Sequence, residues 1–154
     1  MSKFKVEVAS AMSDEVYAAV CRLIPQLSRA GGSNSWNLAT KEKMSAVVES
    51  SCARLLLARD DFGAICGILT LFVLPLTIGI HAMIEDLVVD ESVRGRGVGR
   101  LLMQEAIRMA KESGAETVNL TSHPSRLAAA HLYKSLGFKQ RETIVYKYDC
   151  RRTD

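Results

Sequence analysis

A six-residue segment, RGRGVG at residues 94–99, limits most strongly what this chain can fold into. It places three glycines and two arginines between a strand-like run, IHAMIEDLVVD, and an amphipathic helical run that ends at Gly114. A glycine-rich turn that leads into a helix exposes unpaired N–H groups at the positive end of the helix dipole. The segment therefore predicts an anion site, with phosphate as the natural ligand, at a strand-to-helix junction.

Two other interpretations of this segment are a basic tract that binds nucleic acid and an ordinary flexible turn. The arginines of residues 94–100 are not interleaved with aromatic residues, as they are in many nucleic-acid-binding surfaces. The glycines follow the pattern G-x-G-x-G, which differs from the dinucleotide-binding pattern G-x-G-x-x-G, and no Gly-Lys-Ser/Thr end of a P-loop follows. The sequence therefore predicts neither a dinucleotide fold nor an NTPase.

The composition indicates one ordinary globular domain. The chain has 154 residues, 48% of them apolar and 24% charged, and a formal net charge of +3. These values predict a single domain over residues 1–154 with a real core, and the mild charge does not argue for a nucleic-acid partner. The charged N-terminus, MSKFKVEVAS, lacks the apolar run of a signal peptide, and no stretch is as long as a membrane span. We expect a cytoplasmic protein with no membrane partner.

The four cysteines are scattered, at Cys21, Cys52, Cys66 and Cys150. No pair has the C-x-x-C spacing of a zinc or redox site. We expect reduced and mostly buried thiols, and we predict no metal site.

The first half of the chain reads as a strand followed by two helices. Residues 3–8 alternate between apolar and polar, Ser13 begins a helical segment that runs to about Ser28, and Thr40 caps a second helix that ends near Ser50. Between the two helices lies a loop rich in glycine, serine and asparagine, AGGSNSWN.

The second half begins with three strand-like runs from Ala53 onward, with a bend at Pro75, which predict an antiparallel meander. After the glycine segment and its helix come a strand from Glu116, a helix in SRLAAAHLYKSLG and a last strand in TIVYKY. The sum predicts an α+β fold with a mixed, mostly antiparallel central sheet of six to seven strands and about four helices.

The glycine segment resembles the signature Arg/Gln-x-x-Gly-x-Gly/Ala of the Gcn5-related N-acetyltransferase (GNAT) superfamily. Arg94, Gly97 and Gly99 occupy the three defining places. The later Leu-Tyr-x-x-x-Gly-Phe element of that family is matched by residues 132–138, and the ordered pair covers about residues 82–148. The resemblance implies a GNAT-like sheet in which two parallel strands, ending near Asp90 and Ser122, splay apart.

The resemblance implies that acetyl-CoA, as co-substrate, lies in the gap between those strands. Backbone amides of the glycine segment would hold its pyrophosphate, and the end of the preceding strand would pair with its pantetheine arm. Arg126 replaces an asparagine that many members carry; it would bind a coenzyme phosphate or an acidic group of the substrate, with an exposed helix-start arginine as the equal alternative. The cofactor-binding residues so implied are Leu87, Val88, Val89, Arg94, Gly95, Arg96, Gly97, Val98, Gly99, Arg100 and Arg126.

The transfer of an acetyl group to an amine needs a base for the amine proton and an acid for the leaving thiolate. Glu85 and Asp86 are adjacent on the strand, so regular alternation would point them to opposite faces, and only one of them could readily face the cleft. We favour Glu85 as the base, because residues 84–87 resemble the strand of polyamine and glucosamine-phosphate acetyltransferases in which an acidic residue works near the substrate amine. The alternative for Glu85 is a lining carboxylate paired with an arginine. The resemblance makes Tyr133 the acid, and the alternative is a tyrosine that packs in the core.

The predicted function is transfer of an acetyl group from acetyl-CoA to a primary amine of a small molecule, by direct attack in a ternary complex. The alternatives are a protein or peptide amine as acceptor, a regulator that binds acyl-CoA without turnover, and a covalent route through Cys21 or Cys66. Residues 1–52 form the acceptor-side half and residues 53–150 the acetyl-CoA-binding half, and a homodimer is possible. Acceptor choice is expected to depend on Gln26, Ser33, Asn34, Trp36 and Asn37.

Overall fold

A computed structural model describes residues 3–28 and 38–151. The strands in these residues are β1 (Lys5–Val8), β2 (Ala53–Arg59), β3 (Ile65–Leu76), β4 (Gly79–Val89) and β5 (Thr117–Asn119). The helices are α1 (Asp14–Leu23), α2 (Pro25–Ser28), α3 (Lys41–Glu49), α4 (Val98–Glu112) and α5 (Leu127–Ser135). A 3-10 turn, Glu91–Val93, separates β4 from the glycine segment.

The sheet has the order β1-β2-β3-β4-β5. The first four strands run antiparallel to their neighbours, and β5 lies parallel to β4. This arrangement confirms the predicted α+β class and its parallel strand pair. The described residues form five strands, whereas the sequence predicted six to seven.

Local signals in the sequence account for the first helices. The hydroxyl of Ser13 accepts a hydrogen bond from the N–H of Val16, and Thr40 caps α3 in the same way. The helix predicted from Ser13 to about Ser28 is divided in two, because Pro25 has no N–H to continue the hydrogen-bond ladder of α1 and instead begins α2.

The centre of the sheet is covered on both faces, which explains why β2 and β3 are nearly continuous apolar runs. One core cluster joins α1 and α3 to one face of the sheet, and the second joins α4 and Tyr133 to the other face. Leu102, Met103, Ala106 and Ala110 of α4 are fully buried in the second cluster. The helix that follows the glycine segment is therefore fixed against the sheet along its whole length.

Two sequence predictions were wrong. Pro75 does not make the bend, because β3 continues through it to Leu76 and the turn follows at residues 77–78. The segment TIVYKY, residues 143–148, forms no strand and its large apolar side chains are exposed. High strand propensity is not sufficient, since a strand also needs a neighbour that completes its backbone hydrogen bonds.

No helix among the described residues is long and apolar enough to cross a membrane. That residues 1–154 form a single domain stays a prediction.

Candidate functional site

The glycine segment follows β4 and the 3-10 turn as an exposed loop with a left-handed backbone. Gly95 has φ 76° and Gly97 has φ 86°, values that a residue with a side chain adopts only with strain. A Cβ atom built on either glycine meets no other atom within 4 Å. The need for glycine here comes from the backbone conformation, and the space above both residues is open to a ligand.

The first turn of α4 offers the amide groups of an anion site. Gly97 occupies the N-cap position and provides no side-chain cap. The first hydrogen bond of the helix runs from the N–H of Leu101 to the carbonyl of Gly97 at 3.1 Å. The N–H groups of residues 98–100 precede it and have no partner within the helix, so they suit a pyrophosphate at the positive end of the helix dipole.

Gly99 has a different task from the other two glycines. A Cβ on Gly99 would lie 3.3 Å from Cδ2 of Leu132, so its absence lets the start of α4 approach α5. Arg100 strengthens the same contact, because its Nη2 donates to Oγ of Ser135 at 2.8 Å. The glycine segment and the helix that carries Tyr133 are thereby packed together.

The end of β4 has a backbone edge that β5 does not cover. The recorded pairing of β4 with β5 joins His81–Met83 to residues 117–119, and in the described residues the pairing goes no further. Val88 is buried in the core cluster on one face of the sheet, and Leu87 and Val89 pack against the cluster on the other face, so all three side chains are used in packing. Nε of Arg94 donates to the carbonyl of Val89 at 3.0 Å and turns the chain into the loop.

A β-bulge interrupts β4 at Asp86. In the ladder with β3, Thr70 faces Glu85 and Ile68 faces Val88, so two residues of β4 stand opposite one of β3. Asp86 has φ 53°, the one positive φ of a non-glycine residue in the described part of the chain. The bulge removes the regular alternation on which the prediction of opposite faces for Glu85 and Asp86 was based. Left-handed non-glycine residues and bulges concentrate next to functional sites.

Both carboxyl groups on β4 are harder to ionise than usual. Desolvation raises the pKa of Glu85, and the negative charge of Asp86 raises it further. Desolvation also raises the pKa of Asp86. Both residues are exposed, so solvent reaches them, while the surrounding protein atoms limit the hydration of their carboxyl groups. Thr70, opposite Glu85, is the one buried polar residue in the described part of the chain.

Tyr133 lies on α5 and is buried against the second core cluster. The residue is 9% exposed, and its ring packs against Phe138 with 6.0 Å between centroids. Desolvation raises the pKa of Tyr133, while the positive charge of Arg126 acts in the opposite direction. Among the described side chains no polar atom is both sealed from solvent and unpaired. Tyr133 is thus held protonated at neutral pH, beside the cation at the start of α5.

One contact of the site was missed from the sequence. Arg22, at the end of α1, pairs with Asp90, which precedes the 3-10 turn. Desolvation alone would raise the pKa of Asp90, but the hydrogen bonds from Ser92 and the charge of Arg22 lower it overall. No sequence motif marks a pair separated by 68 positions.

The residues predicted to determine acceptor choice lie mostly outside the described residues. Ser33, Asn34, Trp36 and Asn37 fall in that part of the chain. Gln26 is described, and its side chain accepts a hydrogen bond from the N–H of Glu91 at 2.9 Å. Gln26 therefore contacts the turn before the glycine segment.

Comparison with known sequences gives the same assignment as the resemblance. The model of the acetyltransferase (GNAT) family matches residues 23–138, more than half of the chain. An uncharacterised N-acetyltransferase of Methanocaldococcus jannaschii is 38% identical over 63 residues, 41% of this chain and 28% of that protein. A glucosamine 6-phosphate N-acetyltransferase of Trypanosoma brucei brucei is 36% identical over 83 residues, 52% of this chain and 54% of that protein. The matches span less than two thirds of these curated relatives.

Comparison with solved structures shows the same fold. An aminoglycoside acetyltransferase from an uncultured soil metagenomic sample, in complex with trehalose, superposes with a TM-score of 0.81 and covers 97% of both chains at 22% identity. Identity this low shows the fold alone. The family model settles membership: this chain belongs to the GNAT acetyltransferase family.

Proposed function

We propose that this protein transfers the acetyl group of acetyl-CoA to a primary amine of a small molecule by direct attack in a ternary complex. The observation that carries the proposal is the left-handed glycine segment at the uncapped start of α4, next to the uncovered edge of β4. It provides amides for a pyrophosphate beside a backbone edge for an extended arm, with two carboxyl groups on the same strand.

Residues 94–100 fit the diphosphate of acetyl-CoA, the co-substrate that GNAT acetyltransferases use in general. The open space above Gly95 and Gly97 lets phosphate oxygens approach the backbone, and the arginines add positive charge. Leu87, Val88 and Val89 would pair with the pantetheine arm through their backbone, since their side chains are used in the core. Arg126 is proposed to hold a coenzyme phosphate or an acidic group of the acceptor.

The proposed chemistry uses one base and one acid. Acetyl-CoA supplies the acetyl group as a thioester; a C–N bond forms as the C–S bond breaks. Glu85 accepts the proton that the attacking amine loses, and the raised pKa of Glu85 makes it a stronger base than an ordinary glutamate. Tyr133 donates the proton that the leaving thiolate takes up, which its protonated state allows.

Direct transfer is favoured over a cysteine route by the environment of Cys66. Its thiol is buried and contacts the carbonyl of Ala58 at 3.4 Å, and desolvation raises its pKa. A buried thiol with a raised pKa is a poor nucleophile, because the thiolate is the reactive form. Holding amine and thioester together instead provides the rate through positioning.

Two of the similar proteins support the proposal of a small-molecule acceptor. By their names, one acetylates an aminoglycoside and the other acetylates glucosamine 6-phosphate. The two carboxyl groups at the cleft edge suit a cationic amine, which is the protonated form of such acceptors at neutral pH. We also propose residues 1–52 as the acceptor-side half, with the two carboxyl groups of β4 facing the acceptor from the other half.

The test is a thiol-release assay with acetyl-CoA and a panel of acceptors that includes polyamines, amino sugars, aminoglycosides and short peptides. We expect turnover with at least one small amine, intersecting double-reciprocal lines when both substrates are varied, and loss of turnover in Glu85→Gln. Intact mass spectrometry after incubation with acetyl-CoA alone should show no acetylated protein.

Three results would redirect the proposal. Turnover with peptides only would assign a protein amine as the acceptor. Binding of acetyl-CoA without thiol release from any amine would indicate a non-catalytic acyl-CoA regulator. A competent adduct on Cys21 or Cys66, lost with activity in the serine variant, would replace direct attack by a covalent route.

A further inference from the structure

The acceptor-side helices are joined by two side chains to the turn that precedes the glycine segment. Arg22 lies in the last turn of α1, and Gln26 lies in α2. Both contact residues 90–91, which are the first residues after β4. These two contacts therefore connect residues 1–52 with the turn that leads into the loop proposed to hold pyrophosphate.

Arg22 bridges two strands. Its Nη1 pairs with the carboxylate of Asp90, at the end of β4, and its Nη2 donates to the carbonyl of Ile65, at the start of β3, at 2.6 Å. The N–H of Asp90 also donates to the carbonyl of Cys66 at 2.8 Å. Asp90 is thus fixed by its backbone to β3 and by its side chain to α1.

Asp90 in turn shapes the chain that follows it. Its Oδ1 accepts hydrogen bonds from the N–H of Ser92 at 3.0 Å and from the Ser92 hydroxyl at 2.7 Å. Its Oδ2 is the atom that Arg22 holds. One carboxylate therefore links α1 to the 3-10 turn Glu91–Val93, and Gln26 holds the same turn through the N–H of Glu91 at 2.9 Å.

The 3-10 turn sets the direction in which the glycine segment leaves the sheet. Arg94 follows the turn directly, and the left-handed residues Gly95 and Gly97 come next. Amide groups bind an anion well only when they converge on it before binding, because ordering a loose loop costs affinity. A side chain that fixes the turn therefore affects cofactor binding without touching the cofactor.

We propose that Arg22 is a positioning residue for the cofactor: through Asp90 it holds the turn that orients the amides of residues 94–100. This inference rests on the proposed function, since it assumes that the loop binds acetyl-CoA. It assigns a part in cofactor affinity to a helix of residues 1–52, the proposed acceptor-side half.

The hydrogen bonds that Asp90 retains separate this role from simple stabilisation. The side chain of Arg22 is 50% exposed and that of Asp90 is 14% exposed. Without Arg22, the carboxylate of Asp90 keeps its two hydrogen bonds from Ser92, so we expect a small loss of global stability. Arg108 on α4 is a matched control, because it is 53% exposed and pairs with Glu105 and Glu112. Its position in α4 is ten residues after the start of the helix, about 15 Å along the axis from the loop.

The experiment measures acetyl-CoA affinity by calorimetry, and KM and kcat by thiol release, in Arg22→Met, Asp90→Asn, the double variant and Arg108→Met. We expect Arg22→Met to raise Kd and KM for acetyl-CoA about tenfold, with kcat and the urea midpoint close to wild type. The double variant should be no weaker than Arg22→Met alone, because the two side chains act as one unit. Arg22→Lys, which keeps the charge beside Asp90, should recover part of the affinity, and Arg108→Met should bind like wild type.

Wild-type affinity in Arg22→Met would overturn the inference, and so would additive losses in the double variant. A parallel fall in kcat and in the urea midpoint would show a structural role and overturn it as well. If the wild-type protein itself binds no acetyl-CoA, the proposed function fails together with this inference. Wild-type binding that Arg22→Met leaves unchanged removes the inference alone.

Discussion

The region from β2 through α4 and the region from β5 to residue 151 differ sharply in how they are held. In the first, β2 and β3 are buried along most of their length and α4 has a fully buried face. In the second, β5 has three residues, and α5 has one buried residue, Tyr133. Residues 139–149 have no regular structure, and Tyr146 is 87% exposed.

The difference separates the part of the site that the buried core holds from the part that few buried contacts hold. The glycine segment and Glu85 are attached to the buried region, so the fold fixes their geometry. Tyr133 lies on α5, and Arg126 is the N-cap residue of that helix. The helix contacts the rest of the site through Leu132, Ser135 and the ring of Tyr133. Truncation of a buried side chain in the first region should therefore lower stability, and truncation of an exposed side chain on α5 should not.

The largest expected effect comes from a matched pair of Leu→Ala substitutions in the two regions. Leu102 on α4 is fully buried, whereas Leu127 on α5 is 68% exposed. Leu102→Ala should lower the free energy of unfolding by about 2–5 kcal/mol, because it removes buried methyl groups and leaves a cavity. Leu127→Ala should change it by less than about 0.5 kcal/mol. Urea denaturation measures both, and equal losses would remove the distinction between the regions.

The second prediction concerns acetyl-CoA, which we propose binds to the glycine segment at the start of α4. At a concentration of about 100 times Kd, acetyl-CoA should stabilise the wild-type protein by about 2.7 kcal/mol. Gly97→Asp should abolish this gain, because a carboxylate would face the phosphates and the left-handed backbone would be strained. Thermal unfolding with and without acetyl-CoA measures the gain.

Gly63 provides the control for strain. It has φ 83°, and a Cβ built on it meets nothing within 4 Å, but it lies in the turn between β2 and β3. Gly63→Asp should destabilise the protein and keep the full gain from acetyl-CoA. If Gly97→Asp also keeps the gain, the pyrophosphate site is not at this loop.

The same contrast explains which parts of the structure the sequence predicts. The order of elements up to α4 follows from local signals, such as the caps at Ser13 and Thr40 and the apolar runs of β2 and β3. The prediction of a strand in TIVYKY is wrong. Strand propensity is a property of the segment itself, whereas strand pairing depends on a neighbouring strand.

In the candidate site, too, the sequence predicts local features and misses those that depend on contacts between distant segments. The glycine motif places the loop, and its positive φ angles agree with the glycine pattern. The bulge at Asp86 and the contact between Arg22 and Asp90 could not be predicted, since both arise when distant strands meet. A bulge is set by the register of two strands, and that register is not written in either strand alone.

The third prediction tests the weakly held region. Tyr133→Phe should lower kcat about a hundredfold, because the proton for the leaving thiolate is lost while the ring still packs. The Kd for acetyl-CoA and the urea midpoint should stay near wild type. Tyr146→Phe, at an exposed tyrosine in the same region, should leave kcat unchanged. An unaltered kcat in Tyr133→Phe, with chemistry rate-limiting, would make Tyr133 a packing residue only.

The smallest expected effect is a shift of the pH profile, and it tests whether the environment of β4 tunes the proposed base. Glu85 must be ionised to accept a proton, so kcat should rise with pH as Glu85 deprotonates. Desolvation and the charge of Asp86 both raise the pKa of Glu85, which places this rise above the pH expected for an ordinary glutamate. Asp86→Asn removes the charge and leaves the burial, so the pKa of Glu85 should fall and the rise in kcat should move to lower pH.

The plateau of kcat at higher pH should be the same in Asp86→Asn and in the wild type, because Glu85 is then ionised in both. Asp149→Asn is the control, since Asp149 pairs with Arg151 near the end of the described chain, and it should not move the profile. Glu85→Gln should remove the rise together with most of the activity. A profile that Asp86→Asn leaves in place would show that the group titrating in kcat is not beside Asp86, and Glu85 would then be a lining carboxylate with the base elsewhere in the cleft.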